Sequence, residues 1–181
     1  GDEMSIDGNY EKTRENIRKL ILLGNNFVGH ENIYVSLDKE YITGLCIGYR
    51  GKSGAELRTL LALLLRFRLN ALFNQLIVNS SMLDSGHTPG LEPTDFYISL
   101  VAVEENHRRQ GIGGRLIRNA LSLAADSGCE RIVLDVRENN RAAISLYGKL
   151  GFYFTGERSL TGKQAPVLLR MESRIQDIYN G

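Results

Sequence analysis

The sequence predicts an α/β protein with a mixed sheet flanked by helices. Three observations carry that prediction. Apolar runs of strand length alternate with helical stripes in the second half, and Gly128 and Gly151 follow those helices where a left-handed cap belongs. The crossover from Phe96–Val103 to Arg131–Val136 is long enough for a helix and implies a right-handed parallel βαβ unit. Ile33–Leu37 and Tyr41–Tyr49 flank the turn Asp38-Lys39-Glu40 and read as a hairpin.

The elements follow in order. Glu11–Leu23 is a helix with an apolar stripe of Ile17, Leu20, Ile21 and Leu22, ended by Gly24. After the hairpin comes a long helix, Glu56–Val78, and then a loop, Met82–Pro93, rich in Ser, Gly and Pro. Phe96–Val103 is a strand. Gly111–Ser127 is a helix burying Ile112, Leu116, Ala120, Leu123 and Ala124. Arg131–Val136 is apolar almost throughout, as in a strand covered on both faces. Asn140–Leu150 is a helix, and Phe152–Phe154 and Val167–Met171 are the last strands.

Composition limits the function. The 181 residues fit one domain spanning 1–181. Lys plus Arg is 22 against 21 Asp plus Glu, which argues against a dedicated nucleic-acid coat. Leu57–Val78 is interrupted by arginines and asparagines, so no membrane span is expected. The polar start gives no signal peptide. Cys46 and Cys129 read as buried thiols in a reducing compartment, so the expected location is cytoplasmic. His30, His87 and His107 have no metal-ligand spacing, so no metal is expected. The chain opens on glycine, which reads as a tag remnant or a truncated start.

Two glycine turns compete for an anion. Gly51-Lys52-Ser53 resembles the end of a phosphate-binding P-loop, but that loop needs glycine five residues earlier, where Cys46 stands. It reads as an ordinary turn; an NTPase would need nucleotide binding through Lys52. The second turn is Arg108-Arg109-Gln110-Gly111-Ile112-Gly113-Gly114. A dinucleotide fingerprint would need glycine at 116, which is Leu116. Its glycines still admit a ligand close to the backbone, and the helix that follows offers free amides. A phosphate or pyrophosphate fits, and so does a plain tight turn with solvated arginines.

The surroundings favour the second turn. Ile98–Val103, seven residues, then Gly111-Ile112-Gly113 resembles motif A of the GNAT superfamily of acetyl-CoA-dependent N-acetyltransferases. In that motif two residues separate Arg or Gln from a Gly-x-Gly or Gly-x-Ala, as they separate Arg108 from Gly111-Ile112-Gly113. Leu134 to Phe152, with Asn140, Ala143, Tyr147, Gly151 and Phe152, looks like the family's motif B. The close match covers Phe96–Glu157.

That resemblance implies a mostly antiparallel sheet with one splayed parallel strand pair, and a set of roles. Acetyl-CoA is the co-substrate, with no metal. Its pyrophosphate would lie on the amides of Arg109, Gln110, Gly111, Ile112, Gly113 and Gly114, with Arg108 beside them. Its pantetheine arm would pair with Val101, Ala102 and Val103. A bulge there would free the amide of Val101 or Val103 to polarise the thioester carbonyl. Asn140 would contact the cofactor or simply cap its helix. Tyr147 would donate a proton to the leaving sulfur. Asp135 matches a glutamate that serves as general base in ribosomal-protein alanine N-acetyltransferases, but it is shorter. Glu104, Glu105 and a water are the alternatives. The acceptor is a primary amine attacking directly in a ternary complex: a protein N-terminus, a lysine or a small amine such as a polyamine or aminoglycoside. A non-catalytic acyl-CoA-binding sensor is the alternative from another class. The family's usual first strand is missing, so the N-terminus reads as truncated or divergent. Residues 53–93 form a longer link than usual, read as a helix over the sheet, a substrate lid or a homodimer surface.

Overall fold

A computed structural model describes residues 10–24, 29–51, 90–159 and 167–179. The chain divides into two compact units, Gly1–Asn32 with Ser53–Gly90, and Ile33–Lys52 with Leu91–Gly181. The helix expected over Glu56–Val78, most of the loop after it, and Lys52 and Ser53 lie outside the described residues.

In the first unit, α1 runs Tyr10–Leu23 and stops at Gly24, whose φ of +64° is the left-handed conformation that glycine tolerates. A short 3-10 turn, His30–Asn32, follows, and His30 Nδ1 lies 3.2 Å from the carbonyl of Ile21. Among the described residues no strand precedes Ile33.

The second unit is one six-stranded sheet in the order β1-β2-β3-β4-β6-β5. Its strands are β1 (Ile33–Asp38), β2 (Tyr41–Arg50), β3 (Asp95–Val103), β4 (Arg131–Arg137), β5 (Tyr153–Ser159) and β6 (Val167–Arg174). Every neighbouring pair is antiparallel except β3 with β4. The helices α2 (Ile112–Asp126) and α3 (Arg141–Lys149) connect the second half, as its periodicity predicts. A short α4 (Ile175–Tyr179) follows β6 and has no counterpart in the sequence reading.

The core lies on one face of this sheet. Phe96 and Ile98 of β3, Ile132, Leu134 and Val136 of β4, and Met171 of β6 meet Leu116, Ile117, Ala120, Leu121 and Ala124 of α2. The buried stripe of α2 is wider than expected: Ile117 and Leu121 join it, and Leu123 is only half-buried. Burying a side chain such as Ile117, 0% exposed, stabilises the fold by about 1.5–3 kcal/mol. Cys46 and Cys129 are free, buried thiols, and burial pushes Cys46 up to about 11.

The other face carries charge. Asp95, 2% exposed, receives Arg131 Nε at 2.9 Å and Nη2 at 2.7 Å, while Arg131 Nη1 reaches Glu172 at 2.8 Å. This knot ties β3, β4 and β6 together at one end. Two single-residue bulges shape the other end. Ser99 is the extra residue between the pairs Ile47↔Leu100 and Gly48↔Ile98, and Thr155 is the extra residue between Phe154↔Met171 and Gly156↔Arg170.

Gly51 closes the other glycine turn. Its amide donates to the carbonyl of Asp95 at 2.7 Å, and a Cβ there would stand 2.4 Å from the carbonyl oxygen of Glu92. The glycine serves a close backbone approach, and its amide is taken. No described helix is long and apolar enough to cross a membrane.

Candidate functional site

The site begins where the parallel ladder stops. Strands β3 and β4 pair only from Asp95↔Arg131 to Ile98↔Leu134. Beyond that rung β3 continues through Ser99–Val103 and β4 through Asp135–Arg137 without pairing, so a slot opens between them. The bulge sits at Ser99, two residues before the Val101–Val103 stretch where it was expected.

Register settles which groups face the slot. The amide of Glu104 donates to Thr43 on β2 at 3.0 Å. Backbone direction alternates along an antiparallel pair, so Leu100 and Ala102 bond toward β2 and Val101 and Val103 turn away from it. The Val103 carbonyl, on that side, accepts from Arg108 Nε at 3.2 Å. The side chain of Ala102 is exposed.

The glycine turn follows β3. Its backbone is left-handed at Arg109 (φ +64°) and again at Gly111 (φ +77°), the N-cap of α2. Alternation of this kind makes an anion-binding concavity. No amide from Arg109 to Gly114 donates to a described protein group. A helix N-terminus leaves such donors open and places a partial positive charge there. The turn is braced by Arg115 Nη1 on the carbonyl of Gln110 (3.1 Å), by Gln110 Nε2 on Asn106 (3.3 Å), and by Ile112, 4% exposed, in the core. A Cβ at Gly113 would lie 3.3 Å from Leu146 Cδ2 and 3.8 Å from Val103 Cγ2. The turn, the end of β3 and α3 therefore converge.

Helix α3 starts at Asn140, whose Oδ1 accepts from the Ala143 amide at 3.2 Å, a plain N-cap. Two turns on, Tyr147 is 9% exposed, with its ring 5.9 Å from that of Phe152. Its hydroxyl has no hydrogen-bond partner among the described residues. Burial, with the Cys46 thiol nearby, pushes the phenol up to about 12, so it stays a neutral donor.

The carboxylates are engaged. Asp135, 3% exposed at its side chain, accepts Arg170 Nε and Nη2, each at 3.0 Å, and Tyr97 Oη at 3.2 Å, with Arg158 Nη1 at 3.5 Å. Burial, then the charge of Asp135, pushes the Tyr97 phenol far above its usual range. Glu104 is held by His107 Nδ1 at 2.6 Å and Asn106 Nδ2 at 3.2 Å, and the His107 bond lowers its carboxyl. Glu105 is exposed, 3.8 Å from Arg108. Tyr97, Arg158 and Arg170 are absent from the sequence reading, because only register brings them to Asp135. No group of three or more potential metal ligands occurs among the described residues.

Comparison with known proteins fits this geometry. Residues 77–152 match the model of the Acetyltransferase (GNAT) family. N-alpha-acetyltransferase 30 of Xenopus laevis is 38% identical over 56 residues, 31% of this chain and 20% of that protein. The match thus spans about a fifth of that relative. An N-acetyltransferase structure from Staphylococcus aureus Mu50 superposes with a TM-score of 0.66 at 20% identity, covering 91% of this chain and 81% of that one. A putative streptothricin acetyltransferase from Bacillus anthracis, in complex with acetyl coenzyme A, gives 0.53 at 20% identity, covering 78% and 61%.

Proposed function

We propose, for a chain whose residues 77–152 match the GNAT acetyltransferase family model, that it moves the acetyl group of acetyl-CoA to a primary amine by direct attack in a ternary complex. One observation carries the reading. A row of amides, Arg109 to Gly114, unpaired among the described residues, leads into a slot faced by Val101 and Val103, and Tyr147, in the same core cluster as those valines, has a buried hydroxyl with no described partner.

The residues present suit the donor. Arg109 to Gly114, with Arg108, would hold the pyrophosphate, and Val101 to Val103 the extended arm. Acetyl-CoA supplies an acetyl thioester, whose C–S bond breaks as the C–N bond forms. The amides of Val101 and Val103 lie where a carbonyl oxygen gaining charge would find a donor. Tyr147 keeps its proton at neutral pH and gives it, or a hydrogen bond, to the departing sulfur. Asp135 has its oxygens on two guanidiniums and a phenol, which supports a holding role over proton removal. Asn140 caps α3 and thereby positions Tyr147.

Calorimetry of acetyl-CoA with the wild type and Gly113→Glu tests the cofactor site. A carboxylate in the turn, crowding Leu146, is expected to abolish binding in a protein that still melts cooperatively. Unchanged affinity in the folded variant refutes the assignment.

A further inference from the structure

Around the slot, charge is distributed unevenly on the face opposite the core. At the closed end, Asp95 and Glu172 balance Arg131 and Arg174. At the slot end, among the described residues, Asp135 faces Arg158, Arg170 and, by register, Arg137. The side chains of Arg158 and Arg170 are 17% and 15% exposed. Arg158 meets Asp135 only at 3.5 Å and makes no shorter bond among the described residues. It stands there because of the Thr155 bulge. In a regular strand Arg158, five positions from Tyr153, would fall on the opposite face, and the bulge returns it to the face of Tyr153 and Arg170.

The core side of the slot is filled by Leu146 and Tyr147 of α3. An amine therefore approaches from the other face, past Tyr97, Asp135 and the arginines. From this juxtaposition we infer that Arg158, with Arg170 and Arg137, selects acceptor amines that carry a carboxylate near the reacting nitrogen. The inference rests on the acetyltransferase reading and names its substrate class. A polycationic acceptor such as a polyamine or aminoglycoside meets like charge at this end, while a carboxylate supplies Arg158 with a closer counter-charge than Asp135 does at 3.5 Å. The carboxylate belongs either to an acidic side chain next to a peptide's N-terminus or to the α-carboxyl of a small amino acid.

Thiol release from saturating acetyl-CoA tests this with the full chain. The acceptors are three amidated peptides differing only in Glu, Gln or Lys at the second residue, a free dipeptide with its amide, and spermidine. The expected order in kcat/KM is Glu above Gln by about tenfold, Lys below Gln and spermidine lowest, the spread narrowing with added salt. Free over amidated dipeptide identifies the α-carboxyl as the source; Glu over Gln identifies the side chain. Arg158→Gln is expected to bring the Glu-to-Gln ratio near one, and Arg158→Lys to keep most of it. If either variant fails to fold, the wild-type charge series and its salt dependence decide. Equal kcat/KM across the series, or preference for Lys, in a protein that turns over overturns the inference alone. Failure to bind acetyl-CoA overturns the acetyltransferase reading and the inference together.

Discussion

Replacing Tyr147 by Phe separates chemistry from folding. In the free protein the hydroxyl is buried, at 9% residue exposure, and bonds to nothing described. A buried polar group without a partner costs about 1–3 kcal/mol. Its removal is therefore expected to leave stability unchanged or raise it by up to about 1 kcal/mol. Turnover behaves oppositely, since loss of a positioned donor lowers it by about 10²–10⁴-fold with little change in acetyl-CoA affinity. The phenol's pKa of about 12 adds a pH signature. An unfolded tyrosine ionises near 10. The raised folded value means that its stabilisation is complete below about pH 10 and is lost as pH climbs toward about 12, on the order of 2 kcal/mol in all. The Tyr97 phenol contributes a loss of the same sign, so Tyr147→Phe removes only part of the alkaline slope. Urea melts at pH 8 and pH 10.5, with steady-state thiol release, measure all three quantities. A variant that is destabilised at pH 8 by more than 1 kcal/mol, or that turns over like wild type, refutes the argument.

Two further perturbations test the frame around the site. Gly111→Ala is expected to cost about 1–2 kcal/mol by urea unfolding, from the left-handed backbone alone, since a Cβ there meets nothing nearer than Arg115 Nη1 at 3.7 Å. Asp95→Ala leaves Arg131 without its main counter-charge and the Glu92 amide without its acceptor, and is expected to cost about 3–5 kcal/mol by the same measurement.

Much of the second half was legible in local pattern. Asn140, Gly128 and Gly151 mark helix ends because capping and positive φ are demands on single residues. The hairpin and the parallel crossover follow from turn chemistry and spacing. The far halves of β5 and β6 were not legible. Arg158, Arg170, Glu172 and Arg174 interrupt the apolar signal, yet each charge finds its place across strands. The partners of Asp135 depend on which rung faces which, and no window of sequence carries that. The Ser99 bulge was hidden too. Serine there is exposed and has no preference that marks an extra residue.

That bulge makes the slot a matter of counting. Side chains on a strand alternate, so one surplus residue reverses the parity of everything after it. Ile98 and Val101 then share the core face although three positions separate them. Substitution at Ser99 is cheap, because no neighbour depends on its side chain. Removing the residue is another matter. It would leave Val101 two positions from Ile98, on the same face by ordinary alternation, and would take away the bend in β3 where it parts from β4. At this point of the chain, length is held more tightly than identity.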